Sequence, residues 1–243
     1  MRMRKKKNGD ARLKACDHLI FKAPKAPMDE PSSAIGDFER TLLEIGAGKG
    51  GFACEMSSRN SDAAYYAMER VSDCVVLAAE LAESTAEHRS GNLRFIIDTA
   101  DNLCSYFAPE TVDGIFLNFS DPWSKKGYAK RRLTHRRYLS LYFSLLKEGG
   151  RLTFKTDNVS LFDFSLEEIS SIGLSPDRIT RDLHLSEWNP DNVMTEYETA
   201  FSSQGIKINM LSVVKPAGFV SEVPEELKCG GCKFFKKSGE AND

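Results

Sequence analysis

At 243 residues, 41% hydrophobic and 28% charged, the chain is long for one domain and short for two, so one α/β core with additions is expected. The formal net charge of −2 hides a segregation: residues 1–28 hold nine Lys/Arg against two acids, residues 29–121 six against seventeen, and residues 122–137 seven against none. A near-neutral total therefore does not exclude a nucleic-acid partner, whereas the lack of any run near ~18 apolar residues argues against a membrane span.

The chain opens with a basic, proline-containing arm over residues 1–40. Asn8-Gly9-Asp10 follows the lysines where a secretion signal would turn apolar. A short helix is expected around Ser33 to Arg40. Thr41 to Ile45 reads as a buried strand running into glycines, and Gly51 to Arg59 as a helix. Ala64 to Met68 is the next strand, closed by Glu69. Val71 to His88 is expected to be helical, with Cys74, Leu77, Ala78, Leu81 and Ala82 on its apolar face. Leu93 to Ile97 and Gly114 to Phe119 are further strands. A helix over Tyr138 to Lys147 is stopped by Gly149-Gly150, and a strand follows over Arg151 to Lys155. Ser160 to Ile172 and Thr195 to Ser202 read as helices, and Ile179 to Leu183 and Ile206 to Val214 as late strands. The tail from residue 216 is expected to be peripheral. This alternation predicts a doubly wound, mostly parallel α/β sheet. The six cysteines are scattered, which suits a reducing cytoplasm; Cys229 and Cys232 have metal-ligand spacing but no second pair, so no metal is expected.

Glu44-Ile45-Gly46-Ala47-Gly48-Lys49-Gly50-Gly51 lies where an open α/β sheet binds ligands. Gly46, Gly48 and Gly51 satisfy the dinucleotide pattern G-x-G-x-x-G, while Gly46, Gly48 and Gly50 satisfy E-x-G-x-G-x-G, the first motif of class I S-adenosylmethionine methyltransferases. Glu69, 23 residues after Gly46, can accept ribose hydroxyls of either cofactor. Glu44 favours the methyltransferase reading, since its charge suits a methionine ammonium and would repel a pyrophosphate. Ser120-Asp121-Pro122-Trp123 is a second marked corner, after the fourth strand. It places a carboxylate beside a rigid proline and an aromatic ring that is either a base-stacking platform or core.

These motifs, with Lys125-Lys126, Lys130-Arg131-Arg132-Leu133, Phe154-Lys155-Thr156-Asp157-Asn158, Met194-Thr195-Glu196-Tyr197-Glu198 and the Met1-Arg2-Met3-Arg4 start, resemble the bacterial tRNA (guanine-N7-)-methyltransferase family from residue 1 to about 214. The resemblance implies a seven-stranded Rossmann-like methyltransferase domain over residues 41–215, acting in the cytoplasm as a monomer or homodimer on a guanine of the tRNA variable loop. It further implies that Glu44, Gly46, Gly48, Gly50, Glu69 and the Asp98-Thr99-Ala100 region hold S-adenosylmethionine. Asp121 would lie between cofactor and guanine as the catalytic residue. Lys125, Asp157 and Thr195-Glu196-Tyr197-Glu198 would contact substrate, and Lys126, Gly127, Tyr128, Ala129, Lys130, Arg131 and Arg132 the RNA backbone. Where the family carries Asp at the third-strand end this chain has Thr99, leaving Asp98, Thr99 and Asp101 as alternatives at the adenine. An RNA exocyclic-amino methyltransferase and a non-catalytic RNA-binding protein on the same fold are the alternative functions.

Overall fold

In the computed structural model, which describes residues 6–85 and 91–228, seven segments become the strands of one sheet. They are β1 (Arg40–Ile45), β2 (Ala63–Met68), β3 (Leu93–Ile96), β4 (Val112–Asn118), β5 (Leu146–Thr156), β6 (Arg178–Thr180) and β7 (Asn209–Val214), in the spatial order β3-β2-β1-β4-β5-β7-β6. β3, β2, β1, β4 and β5 pair in parallel, and β7 runs antiparallel to both β5 and β6. β2 is buried at every position, as a strand covered on both faces must be.

Helices cover both faces because successive strand residues point to opposite sides. Leu42, Tyr65 and Phe95 face α2 (Gly51–Arg59) and α3 (Ser72–Ser84), while Leu43, Tyr66 and Phe154 face α4 (Arg136–Leu145) and α5 (Val159–Ser171). A first helix, α1 (Gly9–Ala15), packs on α3 through Leu13 and through the Arg12 guanidinium, whose Nε and Nη2 each donate to the Glu80 carboxylate at 2.6 Å. The last, α6 (Glu196–Ser202), starts at an N-cap where Thr195 Oγ1 accepts from the Glu198 N–H at 3.0 Å. After α1 the arm runs along the edge of β3: the Phe21 N–H donates to the Phe95 carbonyl at 2.8 Å, and Met28 bridges to Phe107.

Several expectations need correction. Residues 31–37 form turns and bends instead of a helix, with Ile35 and Phe38 packed on the core; Gly36, in the middle of the expected helix, is extended with φ 159° and interrupts it. The helix in the arm is α1 instead. The buried face of α3 is Val75, Val76, Ala78, Ala79 and Ala82, and Leu81 is exposed, so the face is rotated toward the smaller residues. The expected end of this helix at His88 lies outside the described residues, as do Met1 to Arg4, Cys229 and Cys232. Gly149 and Gly150 do not stop a helix: α4 ends at Leu145 and both glycines lie within β5. The stretch after Pro216 is anchored as far as Leu227, which is buried in the main core beside Phe219 and Val223.

The rotation of α3 has a cause in the glycine loop. A Cβ on Gly50 would stand 2.6 Å from Ala78 Cβ and 3.0 Å from Ala78 Cα, and Gly50 has φ +81°. Only small residues let the helix approach that closely. Gly50→Ala is therefore expected to lower stability by roughly 2–4 kcal/mol. The urea midpoint should fall at unchanged slope, whereas an unchanged midpoint would mean that α3 can move aside.

Candidate active site

Strand order reverses between β1 and β4, so their onward connections lead away to opposite sides, and the carboxyl ends of such a pair are where an open α/β sheet binds ligands. The loop after β1 is tied down by Gly46 and Ala47, whose N–H groups donate to the Met68 carbonyl at 2.8 and 3.0 Å. Gly46 and Gly48 have φ +87° and +57° with open space or only a 4.0 Å neighbour beside them, so a ligand can approach this backbone. Glu69, at the end of β2, caps its own surroundings: Oε2 accepts from Gly48 N–H at 3.1 Å and Oε1 from Val71 N–H at 2.9 Å. Each oxygen keeps a lone pair for a further donor.

Glu44 projects from β1 beneath this loop and is buried. Oε1 accepts from Asn118 Nδ2 at 3.1 Å, and Oε2 has no partner among the described residues. Burial pushes its carboxyl up to about 7, against the lowering effects of the Asn118 hydrogen bond and the Lys155 charge.

The Asp121 corner is held in a strained conformation. Phe119 and Trp123 have φ +50° and +42°, a left-handed region that costs a bulky residue of order 1–3 kcal/mol each. Both are clamped. The Phe119 N–H donates to the Lys155 carbonyl at 2.9 Å, and its ring lies against Tyr197 and Phe201 with centroids 6.5 and 6.1 Å away. Arg132 Nε and Nη2 donate to the carbonyls of Pro122 and Trp123 at 2.9 and 3.2 Å. Asp121 itself is 67% exposed, with Arg70 Nη2 at 3.5 Å from Oδ2.

The basic run divides into two sets. Arg132 clips the corner, Arg136 binds Glu168, and Arg137 binds Asp101 and the Lys130 carbonyl. Lys125, Lys126, Lys130 and Arg131 are exposed, and none of them has an ion pair among the described residues. The Arg131 guanidinium lies 5.1 Å from the Trp123 ring and 4.7 Å from the Tyr128 ring, so Trp123 belongs to a surface cluster and not to the core. Gly127 and Ala129 sit in the 3-10 turn Lys126–Arg131 that carries these side chains.

Among the three alternatives at the third-strand end, Asp98 accepts from Thr99 N–H, Asn102 Nδ2 and Tyr106 OH, and Asp101 accepts from Arg137 and Tyr138. Thr99, next to buried Ala100, is the one of the three whose side chain makes no hydrogen bond among the described residues. On the substrate side, Asp157 is half-buried after β5, Glu196 pairs with Lys49 of the glycine loop at 3.0 Å, and Tyr197 is 58% exposed. Glu198 departs from the expected role. It is wholly buried, with both oxygens occupied by Lys155, His184 and Asn192. Its ionised form is kept in place there by Lys155 and these donors, which together outweigh burial and hold its carboxyl below the usual range. Reading the motifs alone missed Arg70, His184 and Asn192. For Lys155, a charge inside an otherwise buried strand was the available signal that a partner must exist.

A seven-stranded sheet with this strand order, a glycine loop after β1 and carboxylates ending β1 and β2 define a class I S-adenosylmethionine-dependent methyltransferase. Solved structures share the fold: the 16S rRNA methyltransferase KamB (TM-score 0.59, 12% identity, 82% of this chain and 99% of that one). A geranyl diphosphate C-methyltransferase from Streptomyces coelicolor, in complex with S-adenosyl-L-homocysteine, is a second (TM-score 0.50, 15% identity, 85% and 75%). A family described as "Putative methyltransferase" matches residues 39–211. A tRNA (guanine-N(7)-)-methyltransferase of Lachnoclostridium phytofermentans is 39% identical over 197 residues, 81% of this chain and 91% of the relative. The chain belongs to the tRNA (guanine-N(7)-)-methyltransferase family.

The residues present fit S-adenosylmethionine, because a buried carboxylate oxygen without a partner at Glu44 is what a methionine ammonium would satisfy. With the Glu44 carboxyl pushed up to about 7, a cation seated against it below pH 7 would release a proton. Affinity for S-adenosylmethionine is expected to rise about tenfold per pH unit toward pH 7 and then level off. Calorimetry in buffers of different ionisation enthalpy should detect the proton, and Glu44→Gln should flatten the profile. The folding linkage follows from the same shift. The folded chain holds this proton more tightly than the unfolded one, so stability from this group is lost as pH rises from the ordinary carboxylate range through 7.

Proposed function

We propose that the protein methylates N7 of a guanine in tRNA, in the variable loop as the sequence resemblance implies, using S-adenosylmethionine. The observation that carries the site assignment is the pairing of two carboxylates across the strand-order reversal. Glu44 is buried with one oxygen unpartnered, and Asp121 is exposed at a clamped corner. The bound cofactor supplies a methyl group on a cationic sulfur. Glu44 would hold its ammonium, Glu69 its ribose hydroxyls, and Thr99 and Ala100 the adenine edge, with Gly46, Gly48 and Gly50 keeping the loop close.

Guanine N7 already presents a lone pair, so the protein need not supply a base. Its task is to hold N7 in line with the methyl group, which can account for much of the acceleration. Asp121 suits this by accepting hydrogen bonds from guanine N1–H and the N2 amino group and by offering negative charge where the ring becomes cationic. The strained, clamped backbone at Phe119 and Trp123 fixes its direction. Asp157, Tyr197 and the Thr195 N-cap would border the base, and Lys125 would meet the adjoining phosphate. Lys126, Lys130 and Arg131, with Tyr128, would take RNA backbone by charge and stacking. Unpaired thiols at Cys16, Cys54 and Cys74 support a cytoplasmic setting, and no helix among the described residues is long and apolar enough to cross a membrane.

The direct test is methyl transfer to tRNA lacking 7-methylguanosine, with nucleoside mass spectrometry of the product. A methylated exocyclic amine would redirect the assignment. Asp121→Ala is expected to lower kcat by at least ~100-fold while S-adenosylmethionine affinity stays within about twofold. Near-normal turnover would remove Asp121 from the chemistry.

The two sets of cations should behave differently. Replacing Lys126, Lys130 and Arg131 by Ala is expected to raise KM for tRNA and lower the salt slope by about one unit per contact removed. Arg132→Ala should chiefly reduce kcat by loosening the corner, with the salt slope nearly unchanged. Equal salt slopes in the two variants would contradict this division.

A further inference from the structure

The carboxyl ends of the central strands carry a continuous polar row. Glu44 of β1 accepts from Asn118 of β4, and Asn118 is the register partner of Lys155 in β5. Lys155 Nζ then donates to Asn192 Oδ1 at 2.9 Å, the Val193 carbonyl at 2.7 Å and Glu198 Oε2 at 2.7 Å. An ammonium has three N–H bonds, so its donor capacity is used up. Glu198 Oε1 takes His184 Nε2 at 2.8 Å and Asn192 Nδ2 at 2.6 Å. The side chains of Lys155 and Glu198 are 4% and 0% exposed.

A carboxylate in that state has no surface to offer a base. What it does have is a hold on three separate pieces of chain. Residues 183–195 run through short turns; the Leu183 N–H donates to the Ile208 carbonyl at 2.8 Å, and beyond it no strand pairing among the described residues fixes the segment. The Lys155–Glu198 pair ties the His184 turn, the Asn192-Val193 stretch and the first turn of α6 to the end of β5. The same turn of α6 carries Glu196 onto Lys49 and Tyr197 onto Phe119, one of the two strained residues that aim Asp121.

We infer that Lys155 is a positioning residue, with Glu198 as its buried counter-ion and not a reader of the guanine. Together they fix the 192–198 segment over the glycine loop and the Asp121 corner. This rests on the methyl-transfer reading and replaces the substrate contact that the sequence resemblance assigns to Glu198. Removing one member of such a pair leaves the other buried and uncompensated, while removing both is far better tolerated.

The test uses Lys155→Met, Glu198→Gln and the double variant, assayed at a temperature where circular dichroism shows each folded. Each single variant is expected to lose at least about tenfold in kcat/KM for tRNA; S-adenosylmethionine affinity by calorimetry should stay within about twofold in Glu198→Gln, where the Lys155 charge that favours ionised Glu44 remains. Amide hydrogen exchange over residues 196–202 of the cofactor-free protein should quicken in both. The double variant should exceed both singles in kcat/KM. A double variant no better than Glu198→Gln would overturn the inference, because that is the result if Glu198 touches the base. Singles with normal kcat/KM would overturn it too.

Should a single variant not fold, His184→Ala removes one donor to Glu198 from a partly exposed position. It is expected to raise KM for tRNA about threefold and to quicken exchange in α6. No change in either would overturn the inference. Wild-type protein that forms no 7-methylguanosine would instead contradict the proposed function, and the exchange measurements would still decide the role of Lys155.

Discussion

Because β1 and β4 lie side by side and parallel while their onward connections leave in opposite directions, backbone cannot fill the space at their carboxyl ends. The residues of the candidate site are arranged around that gap. Glu44 is the last polar side chain of β1 before its glycines, Asn118 ends β4, and Lys155 lies near the end of β5. Parallel pairing therefore sets the spacing of the polar row: Glu44, in register with Phe116, reaches Asn118 two residues on, and Asn118 is in register with Lys155. The irregular segments, the Asp121 corner and residues 183–195, are fastened to this row by hydrogen bonds and an ion pair.

The row also explains why a carboxyl can sit buried with a free oxygen. Glu44 is disfavoured as an anion by burial and favoured by Asn118 and by Lys155, which is itself pulled toward Glu198. The balance leaves a group that can shed its proton near neutrality once a cation arrives, which suits a site that must bind, release and rebind a charged ligand. Outside the crevice the electrostatics are simpler. Four cations face solvent beside an aromatic cluster, and the remaining arginines of the same run serve as internal braces, so composition overstates the charge that RNA would meet.

Much of this was readable from the residues. Short apolar runs closed by glycine or glutamate located β1 and β2, and the Glu44 loop selected the cofactor, because local pattern decides both. Failures came where a distant contact decides. The buried face of α3 follows from the close approach of Gly50 to Ala78, which periodicity cannot see. Glu198 reads as a site residue because its motif does, yet Lys155 lies 43 residues away in sequence and takes it into the interior. The arginines of the basic run look alike in sequence, and only Glu168, Asp101 and the Pro122 carbonyl tell them apart.

The arm along β3 bears on how the chain is made. An edge strand presents unpaired backbone groups that other chains can join. Ile20 and Phe21, which pair with β3 at Phe95, are synthesised some seventy residues before the strand they flank. As β3 emerges during translation, its cover is already present on the same chain, and closing so long a loop adds only slowly to the entropy of docking. The outer edge of β3 can thus be met by a segment of its own chain as soon as that strand forms.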